Sequence, residues 1–128
     1  MNYYSLLIVF IGGGLGAASR YMMTSFIGNH WDTVFPYGTL TVNTLGSFII
    51  GFITFYFAFQ HNSAVPEQMR LLLVVGFLGG FTTFSSFALE TLTIAQDHIW
   101  VACTNILGNI CAVMIAVFLG LILAKSVV

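Results

Sequence analysis

An all-α integral membrane fold of four transmembrane helices with a broken third helix is predicted by three observations. The chain carries almost no charge, it divides into four apolar runs of membrane-spanning length, and the third run is interrupted by glycines and hydroxyl residues. Of its 128 residues, 59% are hydrophobic and only 5% are charged. Its mean hydropathy of +0.99 lies far outside soluble usage. Three Lys+Arg and four Asp+Glu cannot clothe a folded surface for water, so lipid has to cover it. The formal net charge of -1 leaves no basic cluster to neutralise a run of phosphates, which excludes nucleic acid as a partner.

A crossing of the hydrocarbon core takes about 20 mostly apolar residues, and the chain offers four such runs as one domain over 1–128, at about 3–27, 37–59, 69–94 and 99–124. The first begins as an apolar stretch, Tyr3 to Ala18, with no basic region before it and no compact polar domain after it, so it reads as a retained span rather than a cleaved signal. Gly28-Asn-His-Trp-Asp-Thr-Val-Phe-Pro36 breaks it from the second, with aromatics suited to the interface. His61-Asn-Ser-Ala-Val-Pro-Glu67 and Gln96-Asp-His98 supply the remaining loops. The three histidines, His30, His61 and His98, all fall in or beside these polar breaks, and no metal-ligand spacing appears. Cys103 and Cys111, about 12 Å apart along one helix, are beyond disulfide reach and read as buried, inert thiols.

With four spans both termini share one side of the membrane. Arg70 and Lys125 then fall on the terminal side and Arg20 toward the other, so the positive charge hardly prefers one insertion direction. That balance allows dual insertion, for which an antiparallel homodimer with its two-fold axis in the membrane plane is the simplest assembly. Gly12 with Gly16, and Ser47 with Gly51, have the small-xxx-small spacing of close helix contact.

The third span carries Gly76-Phe-Leu-Gly-Gly-Phe-Thr-Thr-Phe-Ser-Ser-Phe87. Glycine disfavours a helix by about 1 kcal/mol relative to Ala, and Thr and Ser divert hydrogen bonds from the ladder, which predicts a break near Gly79-Gly80. Freed backbone groups at bilayer depth are tolerated only inside protein or along a cavity, so the break marks an ion or substrate site, the alternative being a simple kink. Phe81, Phe84 and Phe87 recur every third residue and either face lipid or turn their electropositive ring edges toward a small anion. Asn43 in the second span offers two amide donors or serves as interhelical glue. Asn105 and Asn109, four apart, share a face of the fourth span beside Gly108. Three amides in spans next to a broken helix favour a hydrated pathway.

At Gly12-Gly-Gly-Leu-Gly-Ala-Ala-Ser-Arg-Tyr21, Gly38-Thr-Leu-Thr-Val-Asn43 and the third-span motif, the sequence closely resembles the Fluc (CrcB) fluoride channels over nearly its whole length. The resemblance implies a dual-topology antiparallel homodimer in the bacterial inner membrane, with two fluoride pathways and a structural sodium ion where the two broken helices meet. It implies that backbone carbonyls of Gly79 and Thr82 hold that sodium. It further implies a fluoride pore that includes Asn43, Ser85, Ser86 and the ring edges of Phe84 and Phe87. Asn105 and Asn109 form the fourth-span track of that fluoride pore, where many members have Tyr and Ser. Arg20 matches an arginine that serves fluoride's entrance or snorkels to the interface, and Glu90 an acidic position with a structural or a pore role. Phe81 and Ser86 depart from the family's commoner Leu and Thr.

The expected function is therefore passive, electrodiffusive fluoride export, needing no energy-coupling motif, and no Walker A pattern is present. The alternative, a small proton-coupled multidrug exporter, requires a carboxylate deep in the membrane; the first two spans hold none, and Glu90 lies late in the third. A non-conducting assembly subunit would leave the hydroxyls and amides unexplained. No nucleophile and base pair or metal cluster points to an enzyme.

Overall fold

A computed structural model describes residues 2–31, 33–61 and 64–128, the side chains at 60 and 61 excepted. Asp32, Asn62 and Ser63 of the predicted loops lie outside the described residues. Helix α1 runs Tyr3–His30 and α2 runs Tyr37–His61. The third span divides into α3, residues 67–81, and α4, Phe84–Ala95; α5 is Ile99–Ser126. Four helical stretches among the described residues are long and apolar enough to cross a membrane: Tyr3–His30, Tyr37–Phe59, Glu67–Ala95 and Ile99–Ser126. This is a multi-pass membrane protein. Three of the helices run two or three residues beyond the apolar pattern, because winding continues wherever backbone hydrogen bonds do, past the last hydrophobic side chain.

Local signals set the ends. Asn2 caps α1 through a 3.1 Å bond from the Tyr4 amide. At the other end the ring of His30 sits 3.0 Å from the Phe26 carbonyl, and the Trp31 amide returns to Ile27 at 3.0 Å. Pro36 precedes the first residue of α2 and accepts from Leu40, and Pro66 precedes Glu67 at the start of α3. There the exposed Glu67 and Arg70 pair at 3.0 Å.

Spans associate in parallel pairs, each with its next-but-one neighbour, and glycine permits both contacts. A Cβ at Gly12 would strike the Leu72 carbonyl, and one at Gly16 the Phe77 carbonyl. Gly80 returns the relation, its Cβ direction ending 2.5 Å from the Gly13 carbonyl. Thus α1 and α3 touch backbone to backbone. Residues Arg70–Leu78 of α3 are wound as a π-helix, the part that lies along Gly12 and Gly16. On the other side Gly51 meets Val117, and Gly120 meets the Phe48 carbonyl, which joins α2 to α5. The predicted faces at Gly12 and Gly16, and at Gly51, are therefore packing faces.

Two sequence expectations need correction. The helix does not break at Gly79-Gly80, where both residues are helical, but at Thr82 and Thr83. Gly80 is small so that α1 can approach. Cys103 and Cys111 are not buried but exposed, on the outer face of α5; an apolar thiol needs no shelter where the surroundings are hydrocarbon.

Replacing Gly16 by Ala should destabilise the fold by about 1–3 kcal/mol, since the new methyl meets backbone that cannot turn aside. Gly14→Ala, which meets nothing within 4 Å, should leave stability within about 1 kcal/mol of the parent. Equilibrium unfolding in mild detergent separates the two.

Candidate functional site

The break brings the chemistry together. Thr82 (φ -84°, ψ 158°) and Thr83 (φ -152°, ψ 121°) are extended, so the peptide groups between α3 and α4 lose their helical partners. Thr82 remains tied backwards, its amide at 3.0 Å and its hydroxyl at 2.9 Å from the Leu78 carbonyl. Its methyl lies against Gly46 of α2, where a Cβ would overlap it. Thr83 is the N-cap of α4. Its hydroxyl oxygen accepts from the Ser86 amide at 3.1 Å and its proton goes to the Ser86 hydroxyl at 3.1 Å.

Asn43 closes the gap from α2. Its Oδ1 accepts from the Thr83 amide at 2.8 Å, while Nδ2 donates to the Thr83 carbonyl at 3.0 Å and to Asn109 Oδ1 at 3.4 Å. One side-chain amide thus takes the place of two ladder bonds. Because the Thr83 amide is engaged by Asn43, it is diverted from the Gly79 carbonyl, its partner in an unbroken helix. The network continues along α5. Asn109 donates to Asn105 Oδ1 at 2.8 Å, Asn105 donates to Thr91 Oγ1 at 2.8 Å, and Thr91 donates to the Phe87 carbonyl at 2.7 Å. Asn105 is wholly buried at 0% exposure, which is affordable in an apolar interior only because its amide is paired.

A cavity of about 380 Å³ opens beside the break, with Asn43, Ser47, Gly79, Thr82, Thr83, Phe84, Phe87 and Asn109 among its lining residues. The amino end of α4 begins at its wall, and the partial positive charge of a helix N-terminus favours an anion there. Phe84 and Phe87 lie 5.5 Å apart by ring centroids at 54°, but their settings differ. Phe87 is 8% exposed and turned inward, whereas Phe84 is 80% exposed at the rim. A Cβ at Gly79 would find only the Val74 carbonyl, 3.8 Å away, so that face of the helix is open.

The other residues singled out by sequence lie apart from this cavity. Ser86 serves the α4 cap, and Ser85 sits beside it, 3.4 Å from the Thr83 hydroxyl. Asn105 is one step behind Asn109 in the network. Arg20 lies half-buried on α1, its carbonyl accepting from Thr24. Glu90 faces a second cavity of about 220 Å³, bordered by Thr24, Trp31 and Thr39. The Thr39 hydroxyl donates to Glu90 Oε1 at 2.8 Å, and Oε2 is buried without a protein partner among the described residues. Sequence reasoning missed Thr83, Thr91 and Thr39. Thr83 was recoverable from the cap pattern of a Thr three residues before Ser86, and Thr91 from its place one turn beyond Phe87; Thr39 carried no signal of its own.

A sequence model of the family described as "CrcB-like protein, Camphor Resistance (CrcB)" matches residues 7–121. The chain belongs to the CrcB family. All the residues that build the break and the cavity fall within the matched stretch. Curated CrcB relatives carry the name fluoride-specific ion channel FluC. The protein of that name from Legionella pneumophila (strain Paris) is 49% identical over 122 residues, covering 94% of this chain and 90% of its own. Those from a Nitratiruptor species and a Sulfurovum species are 42% and 43% identical, each covering 98% of this chain and, respectively, 96% and 97% of their own.

Asn43→Leu should leave the Thr83 amide and carbonyl unpaired inside the membrane and cost about 1–3 kcal/mol per group. Asn105→Leu, at the far end of the network, should cost less, because Thr91 keeps its bond to Phe87. Unfolding midpoints of the two variants check the order.

Proposed function

We propose that the chain is a passive fluoride channel. The observation that carries this reading is that the break at Thr82 and Thr83, lined by Asn43, Phe84 and Phe87, opens on a cavity in a chain whose relatives are named fluoride-specific ion channels. Family and relatives alike point to an ion channel rather than an enzyme. A small anion moved into hydrocarbon without compensation would cost tens of kcal/mol. Here the compensation comes from neutral groups: an amide, ring edges and the amino end of α4. Such groups hold an anion weakly enough to release it, as conduction requires. Asn109 continues the polar wall with Asn105 sealed behind it, Ser85 and Ser86 lie at the α4 cap beside it, and Glu90 belongs to the second cavity. Arg20, on α1, keeps a role at fluoride's entrance or at the interface.

We take the assembly to be an antiparallel homodimer in a bacterial inner membrane, with two pores. The open cavity, a rim ring as exposed as Phe84 and the near-balanced charge of Arg20, Arg70 and Lys125 support it. A sodium ion between the two copies suits the residues present. The Gly79 carbonyl has lost its helical donor to Asn43, the extended Thr82 takes its own carbonyl out of the ladder, and Gly79 leaves room where a side chain would intrude. Gly79 and Thr82 would hold the ion, two carbonyl oxygens from each copy. Bound there, sodium supplies a fixed positive charge that locks the halves together. The exporter alternative loses ground, since the membrane-embedded carboxylate, Glu90, is set at the second cavity rather than at the break.

Liposomes containing only the purified protein should release fluoride when a potential is applied and retain chloride. Phe87→Ile and Phe84→Ile should each slow fluoride release about tenfold, the equivalent of ~1.4 kcal/mol on the barrier. Unchanged release in both variants, or vesicles that keep their fluoride, overturns the proposal.

A further inference from the structure

The network of amides has a direction, and a single backbone group sets it. A peptide N–H can only donate, so the bond from Thr83 forces Asn43 Oδ1 toward the break and Nδ2 toward Asn109. Asn109 must then offer its oxygen to Asn43 and its nitrogen to Asn105. Asn105 in turn offers its nitrogen to Thr91, whose proton goes to Phe87. No member flips alone without setting donor against donor or acceptor against acceptor.

Within this directed chain one link is long. Asn43 Nδ2 lies 3.4 Å from Asn109 Oδ1, whereas the links beyond it measure 2.8 Å, 2.8 Å and 2.7 Å. It is also the link whose two partners both line the cavity; Asn105 and Thr91 do not. The weakest bond therefore sits where an ion would arrive, and its donor is the amide already turned toward that space.

We propose that Asn109 is a stand-in acceptor, holding the Asn43 Nδ2 proton until a halide takes its place. The proposal rests on the fluoride reading above. A donor left bare in the membrane interior would be costly, and a donor held by a strong acceptor would not be released. A neutral oxygen at 3.4 Å satisfies the first condition without breaching the second. A halide forms the stronger, charge-assisted bond and displaces it. Its amide orientation, imposed from Thr83, keeps the Asn109 oxygen rather than its nitrogen on the cavity side. Asn109 is thus a positioning residue that sets how tightly the anion is held.

The experiment measures fluoride release from liposomes as a function of fluoride concentration, in the parent and two variants matched for folded protein by elution profile. Asn109→Thr withdraws the acceptor, since its hydroxyl can return to the Asn105 carbonyl as that of Thr104 does to Trp100. Its half-saturating fluoride concentration should fall about two- to five-fold, the worth of one weak neutral hydrogen bond. Asn109→Asp strengthens the acceptor, with Asn105 reversing so that its Nδ2 faces the carboxylate and its Oδ1 takes the Thr91 hydroxyl proton, and the variant's half-saturating concentration should rise about tenfold or more. A packing defect would move both in the same direction. An unchanged or raised value for Asn109→Thr, which alone suffices, or shifts of one sign in both variants, overturns the proposal while leaving the channel reading intact. Parent vesicles that retain fluoride overturn both.

Discussion

A peptide group in the middle of a bilayer has no water to turn to, and the clasp of Asn43 on Thr83 is how this chain meets that constraint. By accepting from the Thr83 amide and donating to its carbonyl, one side chain repairs a helix that has been opened. Much else follows from its reach. Helix α2 has to run close to the break, so Gly46 stands where the Thr82 methyl arrives. The second donor hydrogen of Asn43 needs an acceptor, which Asn109 supplies from α5. Asn109 and Asn105 then have polar groups of their own to satisfy, and the chain of bonds ends only when it returns to the backbone of α4 at Phe87. The two turns of α4 that carry Phe84 and Phe87 are consequently held at Thr83 and again at Phe87 and Thr91.

Glycine does two different jobs in this fold. Gly12, Gly16, Gly76 and Gly80 let α1 and α3 meet without side chains between them, and Gly51 and Gly120 do the same for α2 and α5. Gly79, beside them in sequence, meets almost nothing within the chain. Its smallness serves the cavity rather than the packing. Adjacent glycines with opposite roles explain why the third span looks like a hinge in its sequence while its glycines are helical.

The four spans, their approximate limits and the broken third helix were legible, because apolar length and glycine content are local properties of the chain. The small faces at Gly12, Gly16 and Gly51 were legible for the same reason. The site of the break was not. Helix propensity points to Gly79-Gly80, but in lipid an interrupted helix forms where its freed groups find partners, and the partner is Asn43, distant in sequence. Asn43 itself stood out as a polar residue in an apolar run, whereas its two-way bond to a single peptide unit depends on how α2 crosses α3. Asn105 and Asn109 were recognisable as a shared face. That Asn109 reaches the cavity while Asn105 is sealed behind it is a matter of depth in the bundle, which spacing along one helix does not contain. Phe84 and Phe87 read as equivalent members of a stripe; three residues is less than a full turn, and that small offset leaves one at the rim and the other within.

Each helix of a parallel pair is separated from its mate by an intervening span that runs the opposite way. During synthesis, then, the glycine seam of α1 stays bare among lipid tails until α3 has been delivered, and that of α2 until α5 arrives. The first two spans must reside in the bilayer on hydrophobicity alone, with their tightest contacts still to come. Maturation of this small protein is therefore a late event, in which the clasp at Thr83 and both seams close only after the last helix has entered the membrane.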